Sequence, residues 1–465
     1  MNEEQQLPYK TTNPTTGLVE REFLSLTPEE IKASIARADD AFTSWSAATI
    51  VERSAVLLRA ASIYRSREEE LARIIATEMG KPIRQGRGEV SFVADIYEYY
   101  ATKGPAFLSD EDMRPARGGE AVVSSAPLGV LLGVMPWNYP YYQVARFAAP
   151  NLLLGNTILL KHASNCPQSA LVQEEIFREA GLPDGAYINM FAESADVESI
   201  IADPRIRGVS LTGSERAGVA VAQAAGRALV KCVLELGGSD PFIVLDVDDL
   251  DATIDAAVSG RMSNAGQACT AAKRFIVIEA HYDAFVAGFG ERLARMTPGD
   301  PLDMATGFGP LASLAGVTDL LEVVRDATDK GARLHTGGHR IGEQGSFMAA
   351  TLLTDVTPEM RAFDEELFGP VAVVFKVSSV RKAIEAANGS PFGLGSAVFA
   401  SDLSVAHTVA RALDVGMVFI NENTDSHVDL PFGGTKRSGL GRELGRFGLD
   451  EFVNKKLIRT PAPRD

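Results

Sequence analysis

TILLK (157–161), QSALVQEEIFREA (168–180), AYINMF (186–191), RGVSL (207–211), ERAGVAVAQAA (215–225) and KCVLE (231–235) follow one another along the chain. Short β-branched runs alternate with segments of helical period, and a short helix to Ala202 adds one more turn of the same pattern. That alternation predicts a parallel, doubly wound sheet. Ligands on such sheets bind outside the carboxyl ends of the strands. Lys161, Thr212-Gly213-Ser214 and Glu235-Leu-Gly-Gly238 all fall at such ends.

Upstream, Thr27-Pro-Glu-Glu30 reads as a capping box with Pro at the first helical position, followed by Ile31, Ile35, Ala38 and Phe42 at helical spacing. A second long helix is expected from about Glu52 to Gly80-Lys81-Pro82, where Gly supplies a left-handed cap and Pro forbids continuation. Strands are expected around Pro127 between Gly118 and Gly133. Downstream lies a second alternating region. Its strands are expected near Arg274–Ile278, Val371–Val377, Leu394–Phe399 and Gly416–Asn421, its helices near Tyr282–Arg295, Val380–Ala387 and Leu403–Ala412, and Glu451–Arg459 reads as a last strand. At 465 residues the chain exceeds what one core holds, so two or three domains are expected.

A net charge of −16 without a basic run argues against nucleic acid or anionic membrane as a partner. Three cysteines, Cys166, Cys232 and Cys269, make an odd count with no CxxC pair, which fits a reducing cytosol and neither a disulfide framework nor a zinc site. No metal site is expected. MNEEQQLPYK (1–10) lacks the basic and apolar regions of a secretion signal, and apolar runs are too short to span a bilayer. A soluble, cytoplasmic protein is the expectation.

Three residues carry chemistry. Cys269, in NAGQACTAAKR (264–274), sits among Ala268, Thr270, Ala271 and Ala272, which offer too little bulk to bury a thiol, with amides at Asn264 and Gln267. It is the candidate nucleophile; an inert packed thiol is the bland alternative. Glu235 closes an apolar strand, where burial would raise its pKa into the range of a general base, against the alternative of a solvated strand end. Asn138, in MPWNYP (135–140), is an amide donor between two prolines and suits an oxyanion hole. LTGSER (211–216) joins a strand to a helix and suits a phosphate, although an ordinary turn reads the same way. GLGRELG (439–445) has the wrong spacing for a dinucleotide fingerprint and takes no cofactor role. Cys166 and Cys232 read as packing.

These pieces, with LLKHAS (159–164), LELGGSDP (234–241), EELFGPV (365–371), NGSPFGLGSAVF (388–399) and LPFGGTKRSGLGRE (430–443), resemble the NAD(P)-dependent aldehyde dehydrogenases in order and from end to end. The resemblance implies an α/β fold with a Rossmann-like cofactor domain (1–109 and 127–235), an α/β catalytic domain (236–433) and a small β oligomerisation unit with the tail (110–126 and 434–465). It makes Cys269 the nucleophile, Glu235 the base and Asn138 the oxyanion donor. Lys161 and Ser164 become adenosine ribose contacts and Ser214 a pyrophosphate contact. Glu366 and Phe368 hold the nicotinamide half, and Pro136, Trp137, Thr212, Gly213 and Gly237 complete the cofactor wall. The implied chemistry is thiolate addition to an aldehyde, hydride loss and thioester hydrolysis.

Ser164 stands where many members carry the Glu that selects NAD; with Lys161 and His162 as cations nearby, NADP is the expected preference, with NAD also used. WNYPYYQVARFAAP (137–150), KHASNCPQ (161–168) and NENTDSHVDLPFGG (421–434) resemble in particular the shorter bacterial succinate semialdehyde dehydrogenases. There Arg146 and Ser426 would grip a substrate carboxylate, with Tyr142 in the place of a common Trp. A structural ion pair is the alternative for Arg146. Glutarate semialdehyde, a cofactor-free Cys/Glu hydrolase and a non-enzymatic relative stay open as other readings. A homodimer or homotetramer is implied.

Overall fold

Val130–Met135 is the strand from which the first sheet grows, because its small and branched residues tolerate burial on both faces. It pairs in parallel with Thr157–His162 on one side and with Ile206–Thr212 on the other. Tyr187–Asn189 extends the first side and Lys231–Glu235 the second, both in parallel. Chain order therefore reverses between Val130–Met135 and Ile206–Thr212, which opens a crevice at their carboxyl ends. The computed structural model describes residues 9–462, so residues 1–8 of the stretch read for a secretion signal lie outside the described residues.

Helices cover both faces. Pro28–Ala47 starts with the expected capping box, Thr27 and Glu30 each accepting from the other's backbone. The single long helix expected from Glu52 is two helices, Ile50–Ser66 and Glu68–Met79, broken at Arg67. The Arg67 guanidinium leaves its own helix direction to reach Glu70 at 2.7 Å and Glu175 at 3.0 Å. The helix ends where expected, Gly80 capping it with φ of 81°, and Pro82 is the N-cap of the next helix, Ile83–Phe107. Tyr142–Leu154, following Asn138, is buried along its whole length.

The second sheet has seven strands in the order Arg333–Thr336, Thr351–Thr354, Val371–Val377, Arg274–Ile278, Pro241–Val244, Ala397–Phe399 and Phe419–Ile420. All neighbours are parallel except the first pair. Pro241–Val244, fifth in that order, is four residues long and escaped the sequence reading. Two expected strands are shorter than read: close backbone approach at Gly416, where a Cβ would lie 1.9 Å from the Gly433 carbonyl, keeps the chain out of strand geometry until Phe419.

A third, antiparallel sheet joins Val453–Thr460, Glu120–Pro127 and Glu111–Met113. Residues 434–465 do not travel as one piece. Gly439–Leu440 instead forms the antiparallel edge of the first sheet, opposite Glu235 and Leu234. Among the described residues no helix is long and apolar enough to cross a membrane.

Candidate active site

The loop that carries Cys269 is shaped by backbone rather than by bulk. Asn264, Ala265 and Gly266 take φ values of 51°, 54° and 76°, a left-handed run that turns the chain sharply after helix Leu250–Met262. Such conformations need outside support when Cβ is present. Arg261 supplies it, fully buried, donating to the carbonyls of Gly266 at 2.6 Å and Ala272 at 2.9 Å. Lys273 Nζ then donates to the carbonyls of Ala268, Cys269 and Ala271 at 3.2, 2.9 and 3.0 Å. A cation four residues past the thiol thus orients the peptide groups around it. The sequence reading missed Lys273 and Arg261; a charged residue amid the alanines of a turn was the available signal.

Cys269 is half-buried and stands where two cavities meet. The first, about 290 Å³, lies at the sheet's switch point. Pro136, Trp137 and Asn138 come to its wall from the end of Val130–Met135, and Thr212, Gly213 and Ser214 from the end of Ile206–Thr212. Glu235, Gly237, Glu366 and Phe368 complete it. Phe368 meets Trp137 edge to face at 5.7 Å. Gly237 has a geometric reason: a Cβ there would lie 2.4 Å from Glu366 Oε2, while Glu366 Oε1 accepts from the Gly238 amide at 2.9 Å. Ser214, in the cavity wall, is the N-cap of helix Glu215–Ala228, its side chain accepting from the Ala217 amide.

Burial governs the titrating groups. It pushes the Cys269 thiol up to about 12, with Arg146 and Lys273 opposing. Glu235 is buried, and among the described residues neither of its carboxylate oxygens has a donor. Desolvation therefore holds its proton well above the usual carboxylate range, with Arg146 opposing and Glu443 adding to the rise. Asn138 Nδ2 donates to the Gln267 carbonyl at 3.1 Å, which leaves its second N–H toward the cavity it lines.

The second cavity, about 400 Å³, is lined by Tyr139, Tyr142, Phe432, Lys81, Glu89 and Ser426, with Cys269 at its base. Tyr142 Oη donates to Ser426 Oγ at 2.8 Å. Arg146 is not itself in the wall of this cavity and reaches it only through the Tyr142 hydroxyl. Fully buried, it pairs with Glu443, donates to Thr212 Oγ1 at 3.0 Å and stands behind Tyr142 at 3.3 Å from its hydroxyl. Helix Tyr142–Leu154 turns position 146 one turn behind 142, toward the first sheet, so the structural ion pair prevails. The cation at this cavity is Lys81, paired with Glu89 and 3.5 Å over the Tyr139 ring. Glu89 in turn accepts from the amides of Tyr141 and Tyr142 at 2.9 and 3.1 Å and so holds the start of that helix.

His162 also departs from expectation. Its Nε2 lies 2.9 Å from the Pro140 carbonyl and its Nδ1 accepts from the Ala163 amide at 2.8 Å; burial pushes its pKa down to about 4. Being neutral with both nitrogens engaged, it offers nothing to a phosphate, because strand alternation turns it away from the side of Lys161. Lys161 is buried beside Tyr9, its Nζ 5.6 Å from that ring. Ser164 is exposed and lines a separate cavity of about 730 Å³ that shares Trp137 with the first.

The aldehyde dehydrogenase family profile matches residues 1–458. The chain belongs to the aldehyde dehydrogenase family. A succinate-semialdehyde dehydrogenase [NADP(+)] of Deinococcus radiodurans is 55% identical over 452 residues, covering 97% of this chain and 94% of that one. Succinate-semialdehyde dehydrogenase [NADP(+)] 1 of Mycobacterium tuberculosis is 42% identical, covering 97% and 99%. The crystal structure of succinic semialdehyde dehydrogenase from Streptococcus pyogenes with NADP+ matches with a TM-score of 0.95 at 41% identity, over 97% of this chain and 100% of that one. Within an aldehyde dehydrogenase, a thiol between two cavities and a buried carboxyl in one of them are the parts an acyl-transfer oxidation needs.

Proposed function

We propose that this aldehyde dehydrogenase oxidises succinate semialdehyde to succinate with NADP, and that Cys269, Glu235 and Asn138 perform the chemistry. The observation that carries the reading is the placing of Cys269 at the junction of the two cavities, with Glu235 and Asn138 in the wall of the first. A nicotinamide fits that first cavity: Gly237 leaves the space a side chain would fill, Trp137 and Phe368 bound it, and Ser214 opens a helix N-terminus suited to a pyrophosphate. Bound there, NADP supplies a hydride acceptor. Cys269 Sγ adds to the aldehyde carbon as Glu235 or solvent takes its proton. Asn138 donates to the developing oxyanion, a contact worth about 3–4 kcal/mol in comparable sites. After oxidation, water attacks the Cys269 thioester and Glu235 receives its proton.

The substrate cavity supports a carboxylated aldehyde through the Tyr142 and Ser426 hydroxyls. Its relatives of known name in Deinococcus and Mycobacterium support succinate semialdehyde over glutarate semialdehyde. Ser164 supports NADP, since no carboxylate there repels a 2′-phosphate and Lys161 stays close in the chain. The cytosol as compartment and a homo-oligomer built through Val453–Thr460 complete the proposal.

The test is a panel of succinate semialdehyde, glutarate semialdehyde and butanal with both cofactors, followed at the absorbance of reduced nicotinamide. The expected result is highest kcat/KM for succinate semialdehyde with NADP. Preference for butanal would refute the substrate, and hydrolysis of an ester without any aldehyde oxidation would favour the hydrolase. Ser164→Glu is expected to move preference toward NAD; equal NAD preference in wild type and variant would sink the cofactor assignment.

A further inference from the structure

The two cavities share two residues, Cys269 and Gln143. Gln143 lies in the first turn of helix Tyr142–Leu154, its backbone amide donating to the Tyr139 carbonyl at 3.0 Å. Glu89 pins the residue before it, so the side chain's root is fixed. The residue is 1% exposed, and its carboxamide oxygen has no donor partner among the described residues. Buried acceptors left in that state are rare and costly, and they concentrate where a reacting group completes them. Glu235, in the wall of the first cavity with Gln143, has two more unpartnered acceptors.

We propose that Gln143 is a catalytic residue of thioester hydrolysis, its Oε1 accepting one O–H of the attacking water while Glu235 takes the other proton. This rests on the dehydrogenase reading given above. The argument turns on what Oε1 lacks, which is a donor. An aldehyde and a thioester present only acceptors at their reacting ends, whereas water presents two donors. Two acceptors from the wall of one cavity, bonding the two O–H groups of one water, would leave its lone pair for the acyl carbon on Cys269. The balance is simple: the water oxygen forms a C–O bond, the C–S bond breaks, the electron pair returns to Sγ, and one proton passes to Glu235. The second proton, held by Gln143 during attack, remains on the acid.

The experiment compares Gln143→Met, similar in length without the acceptor, and Gln143→Glu, which restores one, with wild type and Glu235→Gln. Rapid mixing with NADP and succinate semialdehyde reads the burst of reduced cofactor, and intact-mass measurement reads acyl-enzyme. Gln143→Met is expected to release one equivalent of reduced cofactor at the wild-type rate, then to turn over about tenfold to hundredfold more slowly while acyl-enzyme accumulates. Gln143→Glu is expected to recover part of the steady-state rate. Equal losses in burst and steady state would show a packing role and overturn the proposal. A raised KM for NADP with normal turnover would place Oε1 on the nicotinamide amide, and a loss confined to carboxylated aldehydes would place it on substrate; either overturns it. No reduced cofactor from wild type with any aldehyde would overturn the underlying dehydrogenase reading instead, and a normal steady state in Glu235→Gln would overturn the role of that base.

Discussion

At Cys269, burial and function pull against each other. A thiol pushed up to about 12 is almost wholly protonated near neutrality, so the free enzyme holds a poor nucleophile in a position where two cations partly compensate. The sign follows directly: a raised pKa favours the neutral thiol, and thiolate grows as pH rises toward the folded value. Alkylation of Cys269 by iodoacetamide is therefore expected to climb by up to about tenfold per pH unit from pH ~6 to pH ~9 without levelling; a plateau by pH ~7 would contradict it. Arg146 belongs to the same scale. Its removal leaves Glu443 buried without its partner, and breaking a buried pair costs about 3–5 kcal/mol. Arg146→Met is thus expected to lower the urea midpoint and to reduce kcat/KM for succinate semialdehyde and butanal alike. A loss limited to the carboxylated aldehyde would restore Arg146 as a direct grip.

Glu78 shows what one buried carboxyl does for several elements. From the end of helix Glu68–Met79 it accepts from the amides of Gln168 and Ser169 at 2.7 and 3.0 Å, from Ser169 Oγ at 2.7 Å and from Thr11 Oγ1 at 3.0 Å. One side chain thereby ties the start of helix Pro167–Glu179 to the strand Tyr9–Thr12. Desolvation outweighs these bonds and raises its pKa to about 7. Because the folded value lies above the unfolded one, the protonated form is favoured by folding. Its contribution is present in full below about 4.5 and is lost as pH rises through about 7. Wild type is expected to lose stability across that window, measured by urea unfolding at several pH values, and Glu78→Gln is expected to flatten the slope. An identical slope in both proteins would count against Glu78 as its source.

Across the whole molecule, the strand Val453–Thr460 leaves apolar side chains in solvent, Leu457 at 63% and Ile458 at 56% exposed. Exposed edges of this kind invite pairing with another chain. If the proposed homo-oligomer forms there, Leu457→Lys with Ile458→Lys is expected to lower the molar mass seen by light scattering while leaving the first two sheets folded. Unchanged mass would move the interface elsewhere.

Much was legible in the chain alone because strands, caps and small-residue turns are local. The parallel alternation from Thr157 to Glu235, the capping box at Thr27 and the strand ends at Lys161, Thr212 and Glu235 are read from neighbours within a few residues. So is a thiol among alanines. What needed the tertiary structure was everything set by a distant partner. Glu443, 297 residues beyond Arg146, decides that Arg146 is a buried pair and not a grip. Burial by distant segments decides that His162 is neutral, against the opposing pull of the Pro140 carbonyl. Lys81 lines the second cavity because Glu89 and Tyr139 fold around it, and Gln143 becomes a candidate because it lines both cavities. Local sequence determines which backbone shapes are available; desolvation and charge pairing depend on what lies across space, and only the assembled fold decides those.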